Sequence, residues 1–102
     1  MQESKLKLLQ QAKEYYSNEG FNILGFFGSY ARGEATPQSD IDILYELNEK
    51  FIKNYKGFLA FSRLSEIKEE LKRFLGIDVD ISAKSGLSRT AEKYIMRDLK
   101  YV

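Results

Sequence analysis

From Ser4 to Tyr16, apolar residues fall at Leu6, Leu8, Leu9, Ala12, Tyr15 and Tyr16 with Lys and Glu opposite, a stripe that predicts an amphipathic helix. Gly20 is placed to stop it. The period then changes: Phe21–Phe27 is short, apolar and aromatic-rich and predicts a strand. Gly28 breaks that strand, and Ser29 is placed to cap a short helix through Tyr30-Ala31-Arg32. Gly33 to Ser39, which holds the only proline, reads as a loop. Asp40–Leu47 alternates, with Ile41, Ile43, Tyr45 and Leu47 on one side and Asp40, Asp42, Leu44 and Glu46 on the other.

Asn48–Gly57 has no clear period; Phe51, Tyr55 and Phe58 are expected to cover the core there. Leu59–Leu75 carries the strongest helical pattern, with Leu64, Ile67, Leu71, Phe74 and Leu75 on one face and Gly76 at the stop. Ile77–Ile81 predicts a third strand, Asp78 and Asp80 facing away from Ile77, Val79 and Ile81. Ser88 or Thr90 starts a last helix whose buried side is Ala91, Tyr94, Ile95 and Leu99. Tyr15, Tyr16, Phe26, Phe27, Phe58 and Phe61 are assigned to the core; any aromatic left exposed, such as Tyr55 or Tyr101, could instead form a partner interface. Strands with one apolar and one acidic face suit a small α+β domain over residues 1–102, its helices packed on one face of the sheet and a wet cleft on the other.

Composition narrows the chemistry. Sixteen basic and fifteen acidic residues nearly cancel, which favours neither nucleic acid nor an anionic membrane. The basic excess between Lys84 and Lys100 is read as a solvated helix face. There is no Cys and no His, which removes disulfides, thiol nucleophiles, imidazole acid–base chemistry and any ordinary zinc site. Hard, oxygen-ligated cations remain. The longest apolar run, Ile23–Phe27, is far short of the ~20 residues of a membrane helix. Gln2-Glu3-Ser4-Lys5 is no apolar signal core, so a cytoplasmic protein is expected.

Two features then stand out. Gly28-Ser29-Tyr30-Ala31-Arg32-Gly33 is a turn whose backbone N–H groups can cradle phosphates. It is not a P-loop, because Glu34-Ala35 follows where Lys and Ser or Thr would be needed. Asp40 and Asp42, at i and i+2, leave one face of one strand, where two bare carboxylates repel and bound Mg²⁺ would relieve them. A third carboxylate would complete a two-ion site, and alternation cannot separate Asp78 from Asp80. From Glu34 to Glu49 there are five acidic residues and no basic one, unfavourable for a polyanion unless metals intervene.

The run Gly28-Ser29-x-Ala31-Arg32-Gly33 … Ser39-Asp40-x-Asp42 resembles the active-site motif of the DNA polymerase β-like nucleotidyltransferases. The short length and Val79-Asp80-Ile81 are similar to the minimal nucleotidyltransferase (MNT) branch, antitoxin partners of HEPN-domain toxins. The resemblance implies that family's fold, with a small mixed sheet, and ATP as substrate. It implies that Gly28 and Ser29, with Arg32 and Ser39, contact the nucleotide. It also implies that Asp40, Asp42 and Asp80 bind two Mg²⁺ ions and carry the chemistry; preferring Asp80 over Asp78 rests on the family alone. The implied reaction is transfer of AMP to a tyrosine of a HEPN toxin, silencing its ribonuclease activity. Two rivals stand beside it: an antitoxin that inhibits by binding alone, and a small-molecule (antibiotic) nucleotidyltransferase, whose relatives usually carry a further domain.

Overall fold

The structure, a computed structural model, describes residues 2–102. The elements run α1 (Glu3–Ser17), β1 (Phe21–Phe27), α2 (Ser29–Arg32), β2 (Ile41–Leu47), α3 (Glu49–Asn54), α4 (Phe58–Leu75), β3 (Val79–Ala83), a 3-10 turn (Lys84–Gly86), α5 (Arg89–Asp98) and β4 (Lys100–Tyr101). The strands form one mixed sheet in the order β3-β2-β1-β4. β1 runs antiparallel to both β2 and β4, while β2 and β3 are parallel. This is the α+β fold expected from the alternating strands and the helical stripes between them.

The alternation sets the layers. Ile41, Ile43 and Tyr45 of β2 join Phe21, Ile23 and Phe26 of β1 in one core with Leu9, Ala12 and Tyr16 of α1 and Ile67, Leu71 and Leu75 of α4. The two long helices therefore share one face of the sheet. Leu44 points the other way, yet it too is fully buried. Ile95 of α5 is buried outside the main cluster as well, and α5 lies against β1, so α5 covers this half of the second face. The other half, at the start of β2, stays open.

Several local expectations change. The unclear stretch after Asn48 is a helix: the Asn48 carboxamide oxygen accepts from the N–H groups of Lys50 (3.0 Å) and Phe51 (3.3 Å) and caps α3. Phe51 is fully buried as expected, but Phe58 and Phe61 are 90% and 74% exposed, because α4 begins at Gly57 with its first turn clear of the sheet. Tyr15, Phe74 and Tyr94, also expected inside, are exposed on the outer flanks of their helices. The third strand starts at Val79 rather than Ile77, and Ser88, not Thr90, caps α5 by accepting from Ala91 N–H. The short β4 was not legible in the pattern. It pairs at Gly25, where a Cβ would lie 2.2 Å from the Lys100 carbonyl oxygen, so only glycine admits the edge strand. Among the described residues, no helix is long and apolar enough to cross a membrane.

Candidate active site

The open half of the second face is a row of side chains across three strands. In the antiparallel register Phe27 stands opposite Asp42, and in the parallel register Asp42 stands opposite Asp80. Paired residues share a face, so Phe27, Asp42 and Asp80 form one row. Asp40 precedes β2 at the loop end and is exposed. Asp78 lies one position before β3, its carbonyl accepting from Ile41 N–H at 2.9 Å. Its carboxylate pairs instead with Lys72, 3.7 Å away. Register thus separates what alternation could not, and places Asp80 beside Asp42.

Gly28 closes the row from above. Its φ of +78° is left-handed, and a Cβ there would lie 2.3 Å from Asp42 Oδ2. Any side chain would displace the carboxylate as well as strain the backbone. The Gly28 carbonyl accepts from Ala31 and Arg32 N–H (3.0 and 3.1 Å), winding the short α2, whose leading residue Ser29 sits directly after the Asp42 contact. The turn ends at Gly33 in the left-handed conformation, and Glu34 N–H returns to the Ser29 carbonyl at 2.9 Å.

Electrostatically the row is unbalanced. The Asp42 carboxyl is pushed above the usual range first by burial, then by the charges of Asp80 and Asp40, with Arg32 only partly opposing. Asp80 has a counter-ion in Lys68 of α4, 3.7 Å away, and its Oδ1 accepts from Ile81 N–H at 3.1 Å. Arg32 is held by Glu34 (3.0 Å) and Asp98 (2.8 Å), tying α2 to the end of α5. Ser39 faces its own loop: its Oγ accepts from Thr36 N–H at 2.9 Å, and its N–H donates to the Thr36 carbonyl at 3.0 Å. Gly28, Ser29, Asp42 and Asp80 are thus brought together, Asp40 borders them, and Arg32 and Ser39 are engaged elsewhere. The sequence reading missed Lys68 and Lys72; their i, i+4 spacing on the helix preceding the acidic strand was the available signal.

The donor set, all carboxylate oxygen, is the kind that Mg²⁺ takes, and burial beside like charge at Asp42 is what a cation would relieve. As the side chains lie, no three acidic groups among the described residues converge to hold an ion. Asp80 lies within 3.7 Å of Lys68 instead.

An α+β sheet with an acid row beneath a Gly-Ser turn defines a class, and comparison with known proteins agrees. The nucleotidyltransferase-domain family model matches residues 7–102, so the chain belongs to that family. It is 35% identical to the protein adenylyltransferase MntA of Thermococcus cleftensis over 102 residues, covering 100% of this chain and 95% of the relative. A Methanocaldococcus jannaschii chain provisionally named a protein adenylyltransferase is 42% identical over 80 residues, 78% of this chain and 74% of that one. A solved structure assigned as a minimal nucleotidyltransferase superposes with a TM-score of 0.74 at 27% identity, covering 100% and 97% of the two chains. A toxin–antitoxin crystal structure with AMP-PNP shares the fold, with a TM-score of 0.65 at 24% identity over 99% of this chain and 72% of that one.

Proposed function

We propose that this nucleotidyltransferase moves AMP from ATP to a tyrosine hydroxyl on a separate HEPN-type toxin, acting as its antitoxin in the cytoplasm. The observation that carries the reading is the register pairing of Asp42 with Asp80 directly beneath the Gly28-Ser29 turn. The adenylyltransferase name of the Thermococcus relative, which aligns over the whole chain, supports AMP and a protein acceptor.

In this reading Asp40, Asp42 and Asp80 hold two Mg²⁺ ions, which when bound neutralise phosphate charge and acidify the acceptor hydroxyl. Gly28 and Ser29 receive the β- and γ-phosphates through backbone N–H groups. Arg32 exchanges a carboxylate partner for phosphate, and Ser39 holds the loop that aims Asp40. With no His or Cys in the chain, Asp80 is the group that takes up the acceptor proton. The acceptor oxygen bonds to the α-phosphorus, the α–β bridging bond breaks, and pyrophosphate leaves.

The test is label transfer from ATP, marked at the α- or the γ-phosphate, to protein in a lysate of the source cell with Mg²⁺. Label reaching a protein band only from the α-position, and not with Asp42→Asn, is the expected result. Labelling by Asp42→Asn at the wild-type rate would sink the assignment. The binding-only reading has its own observation: Phe58, Leu59 and Phe61, in the first turn of α4, are exposed apolar side chains. Full neutralisation of a toxin partner by the Asp40/Asp42 double variant would favour that reading.

A further inference from the structure

We infer that Lys68 is a positioning residue: a resident counter-ion that holds Asp80 out of the metal site and is displaced when a divalent cation binds. The inference rests on the metal-binding reading above and concerns how that site is kept when no cation is bound. The helix α4 precedes the edge strand β3 in the chain and lies against it, and two of its lysines meet the two carboxylates there. Lys68 Nζ lies 3.7 Å from Asp80 Oδ1, and Lys72 Nζ lies 3.7 Å from Asp78 Oδ1. One helical step of four residues rises about 6 Å, close to the roughly 6.6 Å between alternate residues of a strand. The spacing of the lysines therefore matches that of the acids.

The three candidate ligands are treated unequally. Asp40 and Asp42 have no ion-pair partner among the described residues, whereas Asp80 has Lys68 and the N–H of Ile81. The backbone of Asp80 is in register with Asp42, but its carboxylate lies 3.7 Å from Lys68 Nζ, and the three acids do not converge among the described residues. To share an ion with Asp42, Asp80 must leave Lys68. The ammonium thus competes with the metal for one carboxylate. Both partners are partly exposed, with side chains 40% and 56% accessible, so the exchange is a modest one.

The test is Mn²⁺ affinity, read from the electron paramagnetic resonance of the free ion in titrations without nucleotide. Lys68→Gln should bind Mn²⁺ about fivefold tighter than wild type, the scale of one exposed ion pair. Lys68→Arg should return to wild-type affinity. Lys72→Gln, the same charge change one turn away, should stay within about twofold. In an Asp80→Asn background, Lys68→Gln should have no effect. Equal affinity of wild type and Lys68→Gln, with both losing binding on Asp42→Asn, would overturn the role of Lys68 alone. Equal tightening by Lys68→Gln and Lys72→Gln would reduce it to general charge and overturn it too. Binding indifferent to Asp42→Asn would overturn the metal reading beneath it, and this inference with it.

Discussion

The guanidinium of Arg63 is bracketed by Glu19, with contacts of 2.6 and 2.7 Å, and by Glu70 at 3.0 Å. Tyr16 donates to Glu70 at 2.6 Å, and Tyr55 donates to Glu19 at 3.2 Å. At the other end of the sheet Asp42 is partly buried against Asp80 and Asp40, with no cation within ion-pair range among the described residues. Both clusters take charge out of water. In the first, each charge has a partner and the Glu19 carboxyl is held below its usual range, chiefly by the Arg63 hydrogen bond. In the second, the Asp42 carboxyl is held above its usual range. Compensated charge joins α1 to α4 and serves the fold, whereas uncompensated charge is a standing cost that only something from outside removes.

The largest expected effect is on the compensated side. Arg63→Ala leaves Glu19 and Glu70 without their cation and should cost about 3 kcal/mol in urea unfolding. A loss below about 1 kcal/mol would place the Arg63 cluster with ordinary surface pairs. On the uncompensated side the sign reverses: Asp42→Asn, measured with a chelator at pH 7, should raise stability by about 1 kcal/mol, as removal of functional-site strain does. A destabilised Asp42→Asn protein would end the contrast.

Acid titration sharpens it. Glu19, with its folded pKa lowered from 4.5, contributes stability that is present above 4.5 and lost as pH falls through the lower folded value. Asp42, raised from 3.8, contributes fully below 3.8 and loses that contribution as pH rises through its higher folded value. The deficit of Glu19→Gln should therefore shrink on acidification below about pH 4.5, and the gain of Asp42→Asn should shrink as pH approaches 3.8. Both follow from thermal unfolding across pH 3 to 7, and parallel curves would refute the assignment of opposite signs. The smallest effect belongs to neither cluster: Phe58→Ser with Phe61→Ser should move stability by no more than about 0.5 kcal/mol per site, since both rings are exposed.

Much of this arrangement was legible in the order of residues. Alternation placed Asp42 on the acidic face of β2, though Asp40 falls just before the strand, and the helical stripes of α1 and α4 marked their core positions at Leu9, Ala12, Ile67, Leu71 and Leu75. What local pattern could not carry was pairing at a distance. Asp80 is separated from Asp78 only by the register of β3 on β2, and Arg63 meets Glu19 across 44 positions of chain. The aromatic residues misled for a related reason. Hydrophobic character alone does not say which way the first turn of α4 faces, and Phe58 lies outside while Phe51 lies at the centre. The α3 helix did leave a mark, in the Asn48 cap ahead of Lys50 and Phe51, but six residues are too few to establish a period.

The parallel pairing of β2 with β3 has a kinetic consequence. Strands that lie side by side in the same direction must be joined by a crossover, here the whole of residues 48–78 with α3 and α4 inside it. Antiparallel pairing of β1 with β2 closes a shorter loop, so bringing Gly28 to Asp42 costs less chain entropy than bringing Asp80 beside them. The full row is therefore complete only where that crossover has closed.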